Sequence, residues 1–298
     1  LDQIVPAPIA GSTGFQQQYL NSGSIENKGF EVALNLTPVK TKDWKWDIGV
    51  NWSHNHSEVL ALANGVDVLF LGGFEGSAIY AVTGEQYGSI YGSRWLRDEN
   101  GNIVIDDQEF IPGTTDPNPT YGQPIQDAQV GVIGDVNPDW IAGVSTAVTW
   151  KALSLNILAD VRQGGDIWDG TRGAITYFGT AAETDNRGST TVFEGVKGHL
   201  DENGQLVTEG QANDITATLD QGWYQGLGSS FSGPAEQTVE DGSYIKLREV
   251  SLTYSLNPKW LDKTPLGSVD ISLIGRNLWL STDYKGVDPE TSLTGANH

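Results

Sequence analysis

Residues 44–53 read Trp44-Lys45-Trp46-Asp47-Ile48-Gly49-Val50-Asn51-Trp52-Ser53. Trp44, Trp46, Ile48, Val50 and Trp52 take alternate positions, and Lys45, Asp47, Gly49, Asn51 and Ser53 fill those between. A period of two is that of a β-strand, so the stretch predicts a strand with one apolar and one polar face. Residues 30–37 alternate in the same way, Phe30, Val32, Leu34 and Leu36 against Glu31, Ala33, Asn35 and Thr37, and residues 38–43 supply a turn between the two. A second pair follows. Trp140, Ala142, Val144, Val148 and Trp150 share one face, and after Lys151-Ala152 so do Leu153, Leu155, Ile157, Ala159 and Val161. A third pair spans 243–256 and 268–281, joined across Asn257-Pro258, with Val250, Leu252, Tyr254 and Leu256 opposing Glu249, Ser251, Thr253 and Ser255.

The links within each pair are short, whereas 56–138 and 167–240 between pairs are long, polar and rich in Gly, Asp, Asn, Thr and Pro. Short turns at one end and long loops at the other form the pattern of an outer-membrane β-barrel. Structureless connections of this length are unusual in a compact domain, so the loops are expected to fold locally or to carry function. Asp98-Glu99-Asn100-Gly101 and Asp201-Glu202-Asn203-Gly204 repeat one turn chemistry, since Asn-Gly tolerates the positive φ angles of a tight hairpin. If 44–55 runs outward and 139–150 inward, the stretch between them holds either no full strand or two, with 78–93 as the source of such a pair.

Composition bounds the function. The 298 residues include no Cys and no Met and carry a formal charge of −21. This acidity argues against nucleic acid as a partner, because phosphate contacts need Lys and Arg. No run of about 18 apolar residues encodes a transmembrane helix, which says nothing against a barrel. The start, Leu1-Asp2-Gln3-Ile4, is neither an initiator Met nor a signal peptide, so a processed product or a fragment is expected. Trp44, Trp140, Trp150, Trp260 and Trp279 stand at strand ends, where a membrane–water belt would place them. A soluble, secreted β-sandwich that binds carbohydrate shares the alternation and the aromatics. It differs in requiring the apolar faces to meet in a dry core. A secreted β-rich glycosidase would need two carboxylates converging in a cleft.

Four stretches, in order, carry a resemblance. They are Asn21-Ser22-Gly23-Ser24-Ile25-Glu26-Asn27-Lys28-Gly29-Phe30-Glu31 with Trp44-Lys45-Trp46-Asp47 after it; Asn137-Pro138-Asp139-Trp140; Asp241-Gly242-Ser243-Tyr244-Ile245-Lys246-Leu247-Arg248-Glu249-Val250-Ser251-Leu252; and Gly275-Arg276-Asn277-Leu278-Trp279-Leu280 leading to Tyr284-Lys285-Gly286-Val287-Asp288-Pro289-Glu290. Together they resemble the SusC/RagA family of TonB-dependent outer-membrane transporters of Bacteroidota. The resemblance implies an all-β fold, a segment of a 22-stranded transmembrane antiparallel barrel with long extracellular loops and short periplasmic turns. It implies a multi-pass protein of the outer membrane, in contact with lipid, that takes up oligosaccharides or peptides with energy from TonB under a SusD-like lipoprotein lid. Residues 1–298 would then be one partial barrel domain of six to eight strands, without the plug domain, the TonB box or the final strand.

On this reading no residue is catalytic. No Gly-x-Ser-x-Gly elbow, P-loop or dinucleotide fingerprint is present. Trp168, Tyr177, Trp223, Tyr224 and Phe231 lie in a long loop and are the candidates for ligand or lid contact, since rings stack on sugars and anchor interfaces. Asp47, Asn51, Asn156, Asp160, Arg162 and Glu249 are the candidates for lining the lumen, where Arg162 beside Asp160 and Arg248 beside Glu249 are expected to pair. The apolar residues Trp46, Ile48, Val50, Leu155, Ile157 and Leu252 would face lipid. No cofactor is expected. A loop could bind a divalent cation such as calcium: Asp98, Asn100 and Asn102 imitate the start of a calcium loop but lack its closing Glu. Asp106, Asp107 and Glu109, or His54 with His56, offer other ligands.

Overall fold

The computed structural model describes residues 2–8, 11–15, 17–63, 65–74 and 76–291, and of strand residues 2–8, 17–22 and 74 only the backbone. In chain order the strands are β1 (Asp2–Pro8), β2 (Gln17–Lys40), β3 (Trp44–Leu62), β4 (Val68–Phe74), β5 (Ser77–Val82), β6 (Ser89–Gly92), β7 (Val104–Asp106), β8 (Gly131–Asp135), β9 (Trp140–Trp150), β10 (Leu153–Gln163), β11 (Asp166–Trp168), β12 (Thr190–Thr191), β13 (Val196–Leu200), β14 (Leu206–Ala212), β15 (Ala217–Thr218), β16 (Val239–Asp241), β17 (Tyr244–Ser255) and β18 (Asp270–Thr282). Two short helices, α1 (Gly170–Tyr177) and α2 (Gln221–Gln225), lie in the second long connection.

Seven strands form one open antiparallel wall in the order β1-β2-β3-β9-β10-β17-β18. Each of the three strand pairs read from the alternation is present. The register carries every apolar face onto the same side: Val50 opposes Leu34 and Val144, Val144 opposes Ala159, and Leu155 opposes Leu252, which opposes Leu273. That side is bare. Phe30 is 73% exposed and Leu273 76%, so the apolar faces do not meet in a core and the sandwich architecture is excluded for this wall. From Ile245 to Tyr254 the apolar face runs roughly 30 Å along the strand. Tilted by about 40°, it makes a band roughly 23 Å tall, close to the band of about 25 Å that a barrel shows to lipid.

The lower edge of the band is aromatic. Trp44 and Trp150 stack across β3 and β9 with centroids 5.8 Å apart, and Lys151 Nζ sits 5.4 Å over the Trp150 ring at the turn. Trp46 Nε1 donates to Thr146 Oγ1 at 2.8 Å, which satisfies the one polar atom that its indole brings to this face. Two expected turns are shifted. Pro38, assigned to the turn, lies inside β2 at a bulge between Leu36 and Val39, where a residue without N–H breaks no ladder. The link from β17 to β18 is longer than the other two and contains a short 3₁₀ turn, Pro258–Trp260.

Among the described residues, neither long connection contributes a strand to the wall. Residues 63–139 fold into the separate sheet β4-β5-β6-β8 and, with the second connection, into β14-β13-β7. The buried hydrophobic residues cluster here. Val59, Leu69 and Ala81 form one core, and Trp95, Trp223 and Tyr224 another. The connections are therefore a folded outer subdomain seated on the outer part of β3, where Val59 N donates to Glu85 O and Gly84 N to Val59 O; β2 and β3, at 24 and 19 residues, are far longer than the 9–11 residues a tilted strand needs to cross a bilayer.

Candidate functional site

The wall's second face is polar, and all six lumen candidates share it. Asp47 and Asn156 both oppose Ala147, Asn51 and Asp160 both oppose Gly143, Arg162 opposes Ile141 and Tyr244, and Glu249 opposes Leu158. Asp47 accepts from Thr37 Oγ1 at 2.8 Å and from Lys45 at 2.7 Å. Near the turn end this face curves into a shallow trough of about 490 Å³ lined by Asp47, Asn156 and Glu249 among others.

The expected charge pairs are corrected by the register. Arg162 does not meet Asp160; its guanidinium donates to the carbonyls of Val136 at 2.7 Å and Gly164 at 3.3 Å, holding the loop that enters β9. Asp160 takes Arg248 Nε instead, at 2.6 Å. Glu249 turns from Arg248 to Arg276 at 3.0 Å. The cause is a bulge. β17 pairs Leu247 with Ala159 and Glu249 with Leu158, so Arg248 is the extra residue, and two consecutive charged side chains both reach the polar side.

At the outer end of this face lies a cavity of about 980 Å³, near the upper end of the range for ligand pockets. Three pieces build it. The loop sheet contributes Ile79 and Ile90; β11 and α1 contribute Trp168, Arg172 and Ile175; the segment after β18 contributes Tyr284, Lys285 and Val287. Phe231 closes one side. Asp169 caps α1 by accepting from Arg172 N at 2.9 Å, and Gly170 leaves room for the Trp168 ring against the helix start. Arg172 is held by Glu240 and, at 2.8 Å, by Glu183, which also accepts from Thr176 at 2.6 Å. Burial works against the Glu183 charge, but the bonds from Arg172 and Thr176 outweigh it and keep its carboxyl below the ordinary range. Asp166 goes the other way: burial, with Asp135, Asp241 and Asp139 nearby, pushes it up. Burial and the carboxylates of Asp169 and Glu240 push Tyr284 up to about 12, so it is a neutral phenol at any ordinary pH.

The five aromatic candidates separate. Trp168 and Phe231 line the cavity. Tyr177 stands beside it in a ring cluster, 5.1 Å from Phe231 and 5.2 Å from the exposed Phe178, which sequence reasoning did not single out. Trp223 and Tyr224 are buried in the core of the outer subdomain and do not line the cavity. Trp223 is 8% exposed and packs 4.6 Å from Phe193, and Tyr224 Oη donates to Asn186 Oδ1 at 2.6 Å. The capping of α2 by Asp220, which accepts from Trp223 N at 3.0 Å, turns both rings inward.

Most of the candidate metal ligands make hydrogen bonds within the protein. Asp98 accepts from the N–H groups of Asn100 and Asn102 at 2.9 and 2.8 Å, and Asp201 does the same with Asn203 and Gln205 at 2.8 Å each. Both are plain hairpin turns. Asp106 accepts from Asn118 and Thr120, Asp107 meets His199 at 2.8 Å, and His54 bonds the Asp139 carbonyl while stacking on Trp52. Among the described residues no group of three or more His, Asp or Glu side chains is placed to hold a metal ion.

No protein-family model matches the chain. It is 26% identical over 308 residues to TonB-dependent receptor P3 of Formosa agariphila, covering 100% of this chain and 28% of that protein. It is 28% identical over 309 residues to TonB-dependent receptor P26 of the same organism, covering 99% and 29%. With TonB-dependent receptor SusC of Bacteroides thetaiotaomicron the identity is 23% over 314 residues, covering 97% and 26%. Among solved structures, the RagAB peptide transporter superposes with a TM-score of 0.60 at 22% identity, over 97% of this chain and 29% of that one, and so shares the fold. The chain spans less than a third of the length of these relatives.

Proposed function

We propose that this chain, a SusC-like stretch of TonB-dependent receptor sequence, forms the wall and outer mouth of an outer-membrane importer for nutrients too large to diffuse through open pores. One observation carries the reading: the same seven-stranded wall is bare and apolar on one side and polar and ion-paired on the other, with a folded outer subdomain and a cavity above the polar side. A wall with those two sides fits between lipid and a watery lumen, because strands in a bilayer must alternate in this way and pair all their backbone groups.

In this reading Asp47, Asn51, Asn156, Asp160, Arg162 and Glu249 line the path inward. The cavity receives an oligosaccharide or a peptide, with Trp168 and Phe231 supplying flat apolar faces and Arg172 and Lys285 supplying donors. The exposed rings of Tyr177, Phe178 and Phe231 offer the anchor for a SusD-type lid. TonB supplies the energy from the inner membrane, and the remaining barrel strands and the plug belong to the rest of the full-length protein. The chain does no covalent chemistry; it belongs with receptors and transporters rather than with enzymes. The test is an in-frame deletion of the full-length gene in its host. Loss of growth on one class of polymer as sole carbon or nitrogen source, matched by the same loss on removing TonB, is the expected result. Unchanged growth on every glycan and peptide digest the host uses would reject an import role.

A further inference from the structure

Nine residues after β18 do not continue outward into solvent. The segment 283–291 folds back over the polar side of the wall, and two of its three acidic side chains, Asp288 and Glu290, meet the cations of β17. Lys246 Nζ reaches both oxygens of Asp288, at 2.7 and 2.9 Å, and also Glu290. Arg248 bridges Asp160 on β10 to Glu290, with Nη1 at 2.7 Å from its carboxylate. Tyr244 Oη donates to Glu290 at 2.7 Å, and both cations stand over the Tyr244 ring, at 5.1 and 5.9 Å. Lys246 is 5% exposed, a depth at which a cation persists only when paired.

The other end of the segment is tied to the outer subdomain. Lys285 N donates to Glu240 at 2.8 Å, and Glu240 also holds Arg172. Asp288 turns the chain by accepting from Glu290 N at 2.8 Å, Pro289 is buried, and Gly286 lies against the Tyr284 ring, where a Cβ would collide. Between the two ties Val287 stands 94% exposed, and Tyr284 to Asp288 face the cavity.

We propose that 284–291 is a strap forming one movable wall of the cavity, pinned to the barrel wall by Lys246 and Arg248, and that these two cations are positioning residues for the site. This rests on reading the cavity as the nutrient site. The bulge at Arg248 is then purposeful: it places a second cation beside Lys246, so that the strap is gripped by two charges in place of one. Release of the pin frees the strap, opens the cavity toward the lumen and lowers its hold on a ligand.

The experiment uses the full-length protein with Val287→Cys carrying a nitroxide spin label; the chain itself has no competing Cys. The label is expected to be restricted in the otherwise unsubstituted protein and in Arg248→Lys. It is expected to be mobile in Lys246→Gln/Arg248→Gln, and in Asp288→Asn/Glu290→Gln, which leaves the wall strands unsubstituted should the first variant fail to assemble. A casein tryptic digest and a maltodextrin ladder serve as binding probes. Retention of whichever the unsubstituted protein holds should fall about tenfold or more when the pin is removed, the scale of a few lost charge-assisted bonds. Line shapes unchanged by Asp288→Asn/Glu290→Gln in a folded protein overturn the pin. A mobile strap with unchanged probe retention overturns the positioning role. A protein that retains neither probe overturns the reading of the cavity, while the line shapes still decide the pin.

Discussion

Trp223 and Phe231 stand in one connection and have opposite surroundings. Trp223 is enclosed by Trp95, Tyr224 and Phe193, whereas Phe231 is 59% exposed. Trp223→Ala should therefore cost roughly 3–5 kcal/mol of outer-subdomain stability. Phe231→Ala should change it by less than about 0.5 kcal/mol. Thermal unfolding of the two variants in detergent, followed by near-ultraviolet circular dichroism, checks the contrast. Glu290 supplies a pH prediction. The bond from Arg248, with those from Lys246 and Tyr244, holds its carboxyl well below the usual carboxylate range, against an unperturbed value of 4.5. A depressed folded pKa contributes stability above the unfolded pKa and loses it as pH falls through the folded one. Asp160 and Asp288 face the same two cations. The strap should stay pinned at pH 5 and come free only well below pH 4. The mobility of the label at Val287 reads this directly, and release already at pH 5 would contradict the assignment.

At the scale of the element, β9 allows a test with neighbouring residues. Val144 opposes Val50 and Ala159 on the apolar side, and Ser145 opposes Gly49 and Leu158 on the polar side. An arginine on a lipid-facing position near mid-membrane costs about 2–4 kcal/mol. Val144→Arg should thus sharply reduce assembly into the outer membrane, and Ser145→Arg should be tolerated. The fraction of each full-length variant that runs as a compact, heat-modifiable band measures the difference; equal assembly would deny the two-sided wall. In β17 the residues Tyr244, Lys246, Arg248, Glu249, Ser251 and Thr253 show how a bulge is written: the alternation breaks at the doubled polar pair Arg248-Glu249 and resumes one residue out of phase. On β18 the matching irregularity places Asn277 at a φ of 50°, a conformation that Asn tolerates better than most residues.

The whole molecule reverses the usual arrangement of a β protein. Its hydrophobic clusters, among the described residues, lie in the connections and against the outer end of β3, and its longest sheet is bare on the apolar side. Its charge is distributed just as unevenly. Residues 63–139 hold twelve acidic and two basic side chains, and residues 164–243 hold thirteen and three, so the outer subdomain carries nearly the entire net charge. A field of this sign attracts cations and repels polyanions. The bare face sets a prediction for the intact protein. It should sediment with outer membranes, remain monodisperse in detergent and aggregate when detergent is removed, as light scattering would show. A monodisperse particle without detergent is the outcome that would refute a lipid-facing wall.

Side-chain direction along a strand is a local property, which is why the alternation at 44–53, 140–161 and 250–256 was enough to establish the strands, their two faces and the side on which all six polar candidates lie. The asymmetry of the connections was equally local, because it is a matter of spacing alone. Partners are not local. Whether Arg248 meets Glu249 or Asp160, whether Trp223 points at a ligand or into a core, and whether Asp288 and Glu290 hang in solvent or grip Lys246 depends on register, on one bulged residue and on how distant loops fold together. Only the tertiary structure decided those, since each is a choice among contacts far apart in the chain, and the residues on either side carry no record of which one closes.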